Sequence, residues 1–198
     1  MPYIFTYYNP DNTIRFQNPL ETERCTGIKS TNHLRCRRLV TIGINKCFQH
    51  MGNIKIKPSL IDDAGKGLFA YNKFADNDAI LFRPKQKIID YLGEYINHNE
   101  LNRRYGDHTA PYALKIRNNL YIDSATRRGI GSLSNKPSPN NPIPLLRQPN
   151  AKLSISSRNH TASLKATKNI RNNQEILTSY GRNYDLDENY NTKYKSLH

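Results

Sequence analysis

Hydrophobic positions in this chain come in short runs separated by turn residues, and that spacing predicts strands far more than helices. Ile54–Lys57 alternates as IKIK, a DDAGKG turn follows, and GLFAY comes next. AILF (79–82) and IIDYLGEYI (88–96) are short runs rich in Ile, Leu and aromatics. YALKI and LYID flank Asn118-Asn119, which reads as a tight hairpin turn because Asn tolerates positive φ. KLSIS and TASLKAT flank SRNH as a second hairpin, and QEILT is a last short strand before Ser179-Tyr180-Gly181. The one convincing helix start is HNELNRRY (98–105), with Asn97 as its N-cap. Residues 1–20 show no strand or helix period, and 127–148 is a long stretch of Gly, Ser, Pro and Asn. The expectation is a mostly β fold of short sheets.

Four segments follow from this pattern: an N-terminal segment (1–20), a cysteine segment (21–52), a β-rich domain (53–182) and a tail (183–198) with little to bury. The chain has 198 residues, 36% of them hydrophobic, and a mean hydropathy of −0.78, so one compact core is all it supports. No apolar run approaches the roughly 18 residues of a membrane span, and the start lacks a basic, apolar leader. Three cysteines, an odd number, exclude a secreted disulfide scaffold; the expectation is an intracellular protein, with a nucleus or a virus-infected host cell both open as its place. Net charge is +14, spread as +6, +9 and −1 over 1–57, 58–182 and 183–198, which makes a polyanion a natural partner. Asparagine is unusually frequent and tryptophan absent, a bias of A- and T-rich codons that also inflates the lysine count.

The cysteines are spaced Cys25-x10-Cys36-x10-Cys47-x2-His50. Three thiolates and an imidazole complete a tetrahedral Zn²⁺ shell, and the intervening stretch is too poor in apolar residues to fold without one. The competing readings are three ordinary reduced cysteines, or His33 as the imidazole. Arg24-Cys25, Gly27, Arg35-Cys36-Arg37-Arg38, Val40, Gly43, Cys47 and His50 also resemble a small module of large DNA viruses and protists. Docking to nucleic acid through Arg35, Arg37 and Arg38, and a purely structural clip, both stay open.

Further along, Gly65-Lys66-Gly67-Leu68-Phe69-Ala70, Asp90-Tyr91-Leu92-Gly93-Glu94-Tyr95, Tyr121-Ile122-Asp123-Ser124-Ala125-Thr126, and Pro149-Asn150-Ala151 through Asn172–Gly181 stand in a fixed order. Together they resemble the SET domain, the β-rich family of protein-lysine methyltransferases, over about 53–182. The resemblance implies S-adenosylmethionine as cofactor, with Lys66, Gly67 and Leu68 as its backbone turn and Asn135 as its amide contact. It implies Tyr180 as the catalytic tyrosine, also against the cofactor, and Tyr91 beside it on the lysine channel. Tyr112 and Tyr121 sit on strands that could also face that channel. A lysine-bearing protein, a histone tail by family habit, is the implied substrate.

There are departures. Lys136-Pro137 replaces the usual His-Ser after Asn135, residues 138–148 are inserted, Asn173-Gln174 stands before Glu175 where Gly-Glu is usual, and no C-x-C-x4-C follows Tyr180. A SET scaffold that has lost activity and binds nucleic acid or chromatin is therefore the alternative. The +14 charge should repel a basic tail, unless Glu94, Glu100 and Asp107 make the groove acidic. His98, His108 and His160 read as ordinary surface residues. Nothing in the sequence specifies a self-complementary face.

Overall fold

The computed structural model describes residues 4–106 and 110–180, apart from positions 10, 12, 20, 30, 42–45, 48, 49, 51 and 128. Asp107, His108, Gly43 and the 183–198 tail lie outside the described residues. In chain order the strands are β1 (Ile4–Tyr8), β2 (Ile14–Pro19), β3 (Thr22–Arg24), β4 (Leu39–Thr41), β5 (Ile54–Pro58), β6 (Lys66–Ala70) and β7 (Ile80–Phe82). They continue as β8 (Lys87–Tyr91), β9 (Glu94–Ile96), β10 (Ala113–Arg117), β11 (Leu120–Asp123), β12 (Ala151–Ser156), β13 (Thr161–Ala166) and β14 (Ile170–Arg171). One helix, α1 (His98–Tyr105), follows β9, and Asn97 caps it by accepting the Glu100 N–H. No helix among the described residues is long and apolar enough to cross a membrane.

Small antiparallel sheets assemble these strands. β5 pairs with β6, and β7 with β14. β12, β13 and β8 form one three-stranded sheet, and β10, β11 and β9 another. Both hairpin turns of the sequence reading are present: Asn119 adopts φ 59° between β10 and β11, and residues 157–160 join β12 to β13. The core of the β domain gathers Leu68, Ala70, Phe82, Leu164, Ile170 and Ile176. That core forms because the inward positions of several short segments meet, none of which buries enough apolar surface alone.

Three expectations need correction. Residues 1–20 are not patternless: β1 and β2 form a hairpin in which Tyr7 faces Phe16. Both rings are buried edge-on against Tyr105 of α1, at 5.0 and 6.5 Å between centroids. A single inward pair leaves too few positions for a visible alternation, and a tertiary contact fixes the hairpin instead.

The run 88–96 is two strands in two different sheets, broken at Leu92-Gly93. A Cβ on Gly93 would lie 2.4 Å from the Asp123 carbonyl oxygen, so the chain turns there only with glycine.

QEILT is not a continuous strand either. It makes single bridges with three partners: Glu175 with Phe69, Leu177 with Asn135 and Thr178 with Ala151. The stretch 127–148 holds two 3₁₀ turns, Ile130–Leu133 and Pro144–Leu146, pinned by buried Ile130 and Leu146.

Candidate active site and metal centre

The bridging segment 175–178 explains how the site is assembled. It passes between β6, the loop at Ser134-Asn135 and the start of β12, so residues far apart in sequence are stitched to one short stretch. Asn150 is buried within it, donating Nδ2–H to the Glu175 carbonyl at 2.8 Å and accepting the Leu177 N–H at 2.9 Å. Thr178 donates its N–H to the Asn135 carbonyl at 2.9 Å.

At the end of this segment Tyr180 and Tyr91 line one narrow cavity of about 40 Å³, with Leu114, Leu153, Ser132 and Ser134 among its walls. Tyr180 donates its hydroxyl to the Ser134 carbonyl at 2.8 Å, and Tyr91 donates to the Tyr112 carbonyl at 2.9 Å. The Tyr112 carbonyl also accepts the Ser124 N–H, so Tyr91 is aimed by an anchored backbone. Burial, then the nearby Tyr91 and Tyr112, push the Tyr180 hydroxyl well above the usual phenol range. It therefore stays protonated near neutrality and can orient a partner but cannot serve as a base.

The other two tyrosines of the sequence reading stand differently. Tyr112 packs against the Tyr7, Phe16 and Tyr105 cluster, while its phenol acts on nearby Tyr180 and its carbonyl serves Tyr91. Tyr121 is absent from the cavity walls. Its ring stacks on His98 at 6.2 Å between centroids, and its hydroxyl lies 3.3 Å from His98 Nδ1. The alternation of β11 places Ile122, not Tyr121, inward.

One residue past the cavity wall, a second set of contacts forms a rim outside it. Asn135, adjacent to Ser134, donates Nδ2–H to the Lys66 carbonyl at 3.1 Å and to Glu175 Oε1 at 3.2 Å. These bonds join the Lys66-Gly67-Leu68 turn to the Asn135 loop. A Cβ on Gly67 would fall 2.2 Å from Glu175 Oε1, so the neighbouring carboxylate by itself requires a glycine there. Glu175 is 1% exposed. It accepts the Ser59 hydroxyl at 2.8 Å and the Leu60 N–H at 2.9 Å.

These residues fit S-adenosylmethionine. Both Nδ2 hydrogens of Asn135 are used within the rim, which leaves Oδ1 to accept from an ammonium, and Lys66 and Lys136 stand exposed beside it to meet a carboxylate. Glu175, Ser134 and Asn150 escaped the sequence reading as site residues. The signal for Glu175 was its place in the QEILT motif.

Glu94 and Glu100 do not leave an acidic groove open. Arg104 closes on both, at 2.6 Å to each, and on buried Asp123 at 2.8 Å. Hydrogen bonding to Arg103, assisted by Arg104, holds Glu100 down at about 2. Glu100 and Arg104 stand i, i+4 on α1, a local signal that the acidic-groove reading passed over.

In the cysteine segment β3 and β4 start a ladder that continues through Cys25 N–H to the Arg38 carbonyl, Cys36 N–H to the Gly27 carbonyl and an Ile28–Arg35 bridge. It folds Cys25, Cys36, Cys47 and His50 together, their ligand atoms all within 4.8 Å of one another. The separations are 3.5 Å from Cys25 Sγ to His50 Nδ1, 3.3 Å from Cys47 Sγ to His50 Nδ1 and 3.9 Å from Cys36 Sγ to Cys47 Sγ. A tetrahedral Zn²⁺ with Zn–S near 2.3 Å needs edges of about 3.8 Å between sulfurs, so the set fits that ion.

Burial raises the Cys25 thiol, but N–H donation from Cys47 (3.1 Å) and Gly27 (3.4 Å), with Cys47 and His50 beside it, brings it down to about 7. His33 is exposed and outside the group. Arg24 and Arg35 give their guanidinium donors to backbone carbonyls: Cys36 and Arg35 for the first, Cys25 and Arg24 for the second. Arg35 therefore braces the knot while staying exposed, as do Arg37 and Arg38, the other two residues of the nucleic-acid reading.

No curated protein matches the chain. Among solved structures, the crystal structure of an active polycomb repressive complex 2 in the stimulated state is similar, at 23% identity and TM-score 0.52, over 66% of this chain and 15% of that chain. The same complex in the basal state gives 22% identity and TM-score 0.50 with the same coverage. This chain thus spans well under two thirds of those chains, and the likeness is one of fold. The family model for the SET domain matches residues 65–181. That match takes in the Gly67 turn, the cavity tyrosines and the bridging segment, and covers more than half of the sequence: the chain belongs to the SET domain family, the family of protein-lysine methyltransferases.

Proposed function

We propose that this chain is an intracellular, S-adenosylmethionine-dependent protein-lysine N-methyltransferase acting on a lysine-bearing protein segment, a histone tail being the first to test. The observation that carries the reading is the Ser134-Asn135 junction. The Ser134 carbonyl holds the Tyr180 hydroxyl inside the cavity, while the Asn135 side chain holds the Lys66 turn outside it. Two neighbouring residues thus join a channel wall to a cofactor rim, as a transfer between two ligands meeting end to end requires.

When bound, S-adenosylmethionine supplies an electrophilic methyl group on a sulfonium. This chain's residues would do the rest. Tyr91, Leu114 and Leu153 offer mostly apolar walls to an alkylamine stem. A lysine amine has an ordinary pKa near 10.4 and must lose its proton to attack; apolar walls favour the neutral form. The Tyr180 proton is already given to the Ser134 carbonyl, so its oxygen can accept from the incoming amine and aim the nitrogen lone pair. The Cys25, Cys36, Cys47 and His50 group would hold one Zn²⁺ as a structural ion, and none of the four lines the cavity.

Calorimetry with S-adenosylmethionine, together with a tritiated-methyl assay on histone mixtures, tests the reading. The expected result is saturable binding and label on lysine. A folded protein that neither binds the cofactor nor labels any protein sinks it and leaves the inactive-scaffold alternative standing.

A further inference from the structure

The loop after β6 presents Phe74 86% exposed, and that exposure is built rather than accidental. Buried Asn172 clamps the loop. Its Nδ2 lies 3.0, 2.8 and 3.2 Å from the carbonyls of Asn72, Ala75 and Asp76, and its Oδ1 accepts the Asn72 N–H at 2.9 Å. The Phe74 N–H is held by Asn72 Oδ1 at 3.0 Å. A large aromatic side chain is thus carried into solvent on a rigid support, the arrangement of a preorganised binding anchor.

One cation lies against the Phe74 ring, and two more gather over Tyr71, three residues earlier on the same loop. Lys73 Nζ lies 4.4 Å from the Phe74 ring centroid. Lys55 and Lys57 share the Tyr71 ring, at 4.6 and 4.9 Å from its centroid. Asn173 ties this pair to the loop, accepting from Lys57 Nζ at 2.8 Å and donating to Asn77 Oδ1 at 2.8 Å. Burial, then repulsion from Lys55, lowers the Lys57 pKa. An anion bridging the two ammonium groups would relieve that repulsion. Within 69–77 the sole carboxylate is Asp76.

We propose that Lys55, Lys57, Tyr71, Lys73 and Phe74 form a binding surface for single-stranded nucleic acid, with backbone phosphates on the lysines and a base stacked on Phe74. Flat rings interleaved with cations match a polymer that alternates phosphates with aromatic faces. A duplex keeps those faces stacked inside, which selects the single strand. The net charge of +14 favours encounter with any polyanion. The zinc hairpin is the weaker candidate, since Arg24 and Arg35 are committed to its own backbone. This surface does not depend on the methyl-transfer reading.

The test is fluorescence anisotropy with a labelled mixed-sequence single-stranded oligonucleotide across a salt series, using the full chain. Wild type should bind the single strand more tightly than the duplex, and more weakly as salt rises. Phe74→Ala, which removes an exposed side chain, should weaken binding by about 5- to 100-fold, as expected for one stacked base, with an unchanged circular dichroism spectrum. Lys55→Ala should reduce the log–log salt slope by about 0.7 for each phosphate it no longer neutralises. Three outcomes each overturn the proposal: no binding at low salt; equal affinity for polyglutamate; or a Phe74→Ala protein that binds like wild type while Arg37→Ala/Arg38→Ala loses binding.

Discussion

Gly27 and Gly67 hold matching places in two different regions. At each, a Cβ would fall 2.2 Å from a side-chain atom, Cγ of His50 in one case and Oε1 of Glu175 in the other. Both glycines let a polar side chain lie flat against the backbone. What surrounds those side chains differs. The interior of the cysteine hairpin is three thiols and Val40, with the His50 imidazole closing the group. Glu175 instead sits beside a core of ten buried residues, and Ser59, Leu60 and Asn135 all donate to it. The first region has too little apolar surface to offset chain entropy and needs an ion. The second is held by many residues, each replaceable at modest cost, and so can carry strained or exposed groups elsewhere.

The comparison breaks most sharply at the metal. Cys36→Ala, or a strong chelator, should remove one stoichiometric Zn²⁺ by elemental analysis and unfold the hairpin, a loss of about 10 kcal/mol of coordination energy at neutral pH. Limited proteolysis should then cut within 22–50 while the β domain stays protected and binds S-adenosylmethionine as before. Purified protein without zinc, or an unchanged melting profile in Cys36→Ala, contradicts the metal assignment.

The converse substitution acts on chemistry and leaves folding alone. Tyr180→Phe removes one hydroxyl and keeps the ring that walls the cavity. Loss of one positioned polar group costs about 10²–10³ in rate. A fall in kcat with little change in cofactor affinity is expected, because the hydroxyl acts on the amine in the transition state. Wild-type turnover in Tyr180→Phe would move the site elsewhere.

Glu175→Ala addresses the join between rim and core. It removes the acceptor of the Leu60 N–H, the Ser59 hydroxyl and one Asn135 hydrogen at a half-buried place that water can partly reach, a loss of about 1–2 kcal/mol. Denaturant melts should show a lower midpoint with an unchanged slope, and cofactor affinity should fall as Asn135 loses its second anchor. A stability equal to wild type would mean that water replaces the carboxylate.

How much of this was legible depended on where the signal lay. The SET-like motifs, the Asn118-Asn119 turn and the Asn97 cap are local, each written in adjacent residues, and so is the C-x10-C-x10-C-x2-H spacing. Tyr91 and Tyr180 were reached through motif order, not through periodicity. What escaped is non-local. The β1–β2 hairpin depends on a ring in α1, and Glu175 finds Ser59 and Leu60 more than a hundred positions away. Glu94 reads as part of a free acidic face because Arg104 and Asp123 come together only once β9, β11 and α1 are assembled, whereas the Glu100–Arg104 pair lies within α1 and was passed over. Tyr121 reads like Tyr91 in composition, and only its strand's register separates them.

The smallest effect concerns that assembled cluster and sets the β domain's electrostatics apart from the hairpin's. Glu100 falls from about 4.5 to about 2 in the folded protein, first through Arg103 and then through Arg104. A carboxylate with a depressed folded pKa contributes stability that is fully present above about 4.5 and disappears as pH falls through about 2. The shift sets an upper bound of about 3 kcal/mol, and water around the 29%-exposed side chain reduces it toward about 1 kcal/mol. Buried Arg104 keeps Glu94 and Asp123 when Glu100 becomes Gln, so the variant should fold. The measurement is the difference in unfolding free energy between wild type and Glu100→Gln as a function of pH. That difference should be flat above about pH 5 and shrink toward zero near pH 2. Because protonation of other carboxylates affects both proteins alike, the difference isolates this one group. A difference that stays constant down to pH 2 would show that Glu100 stabilises the helix by packing alone, and that the Arg103–Glu100–Arg104 contacts contribute nothing through charge.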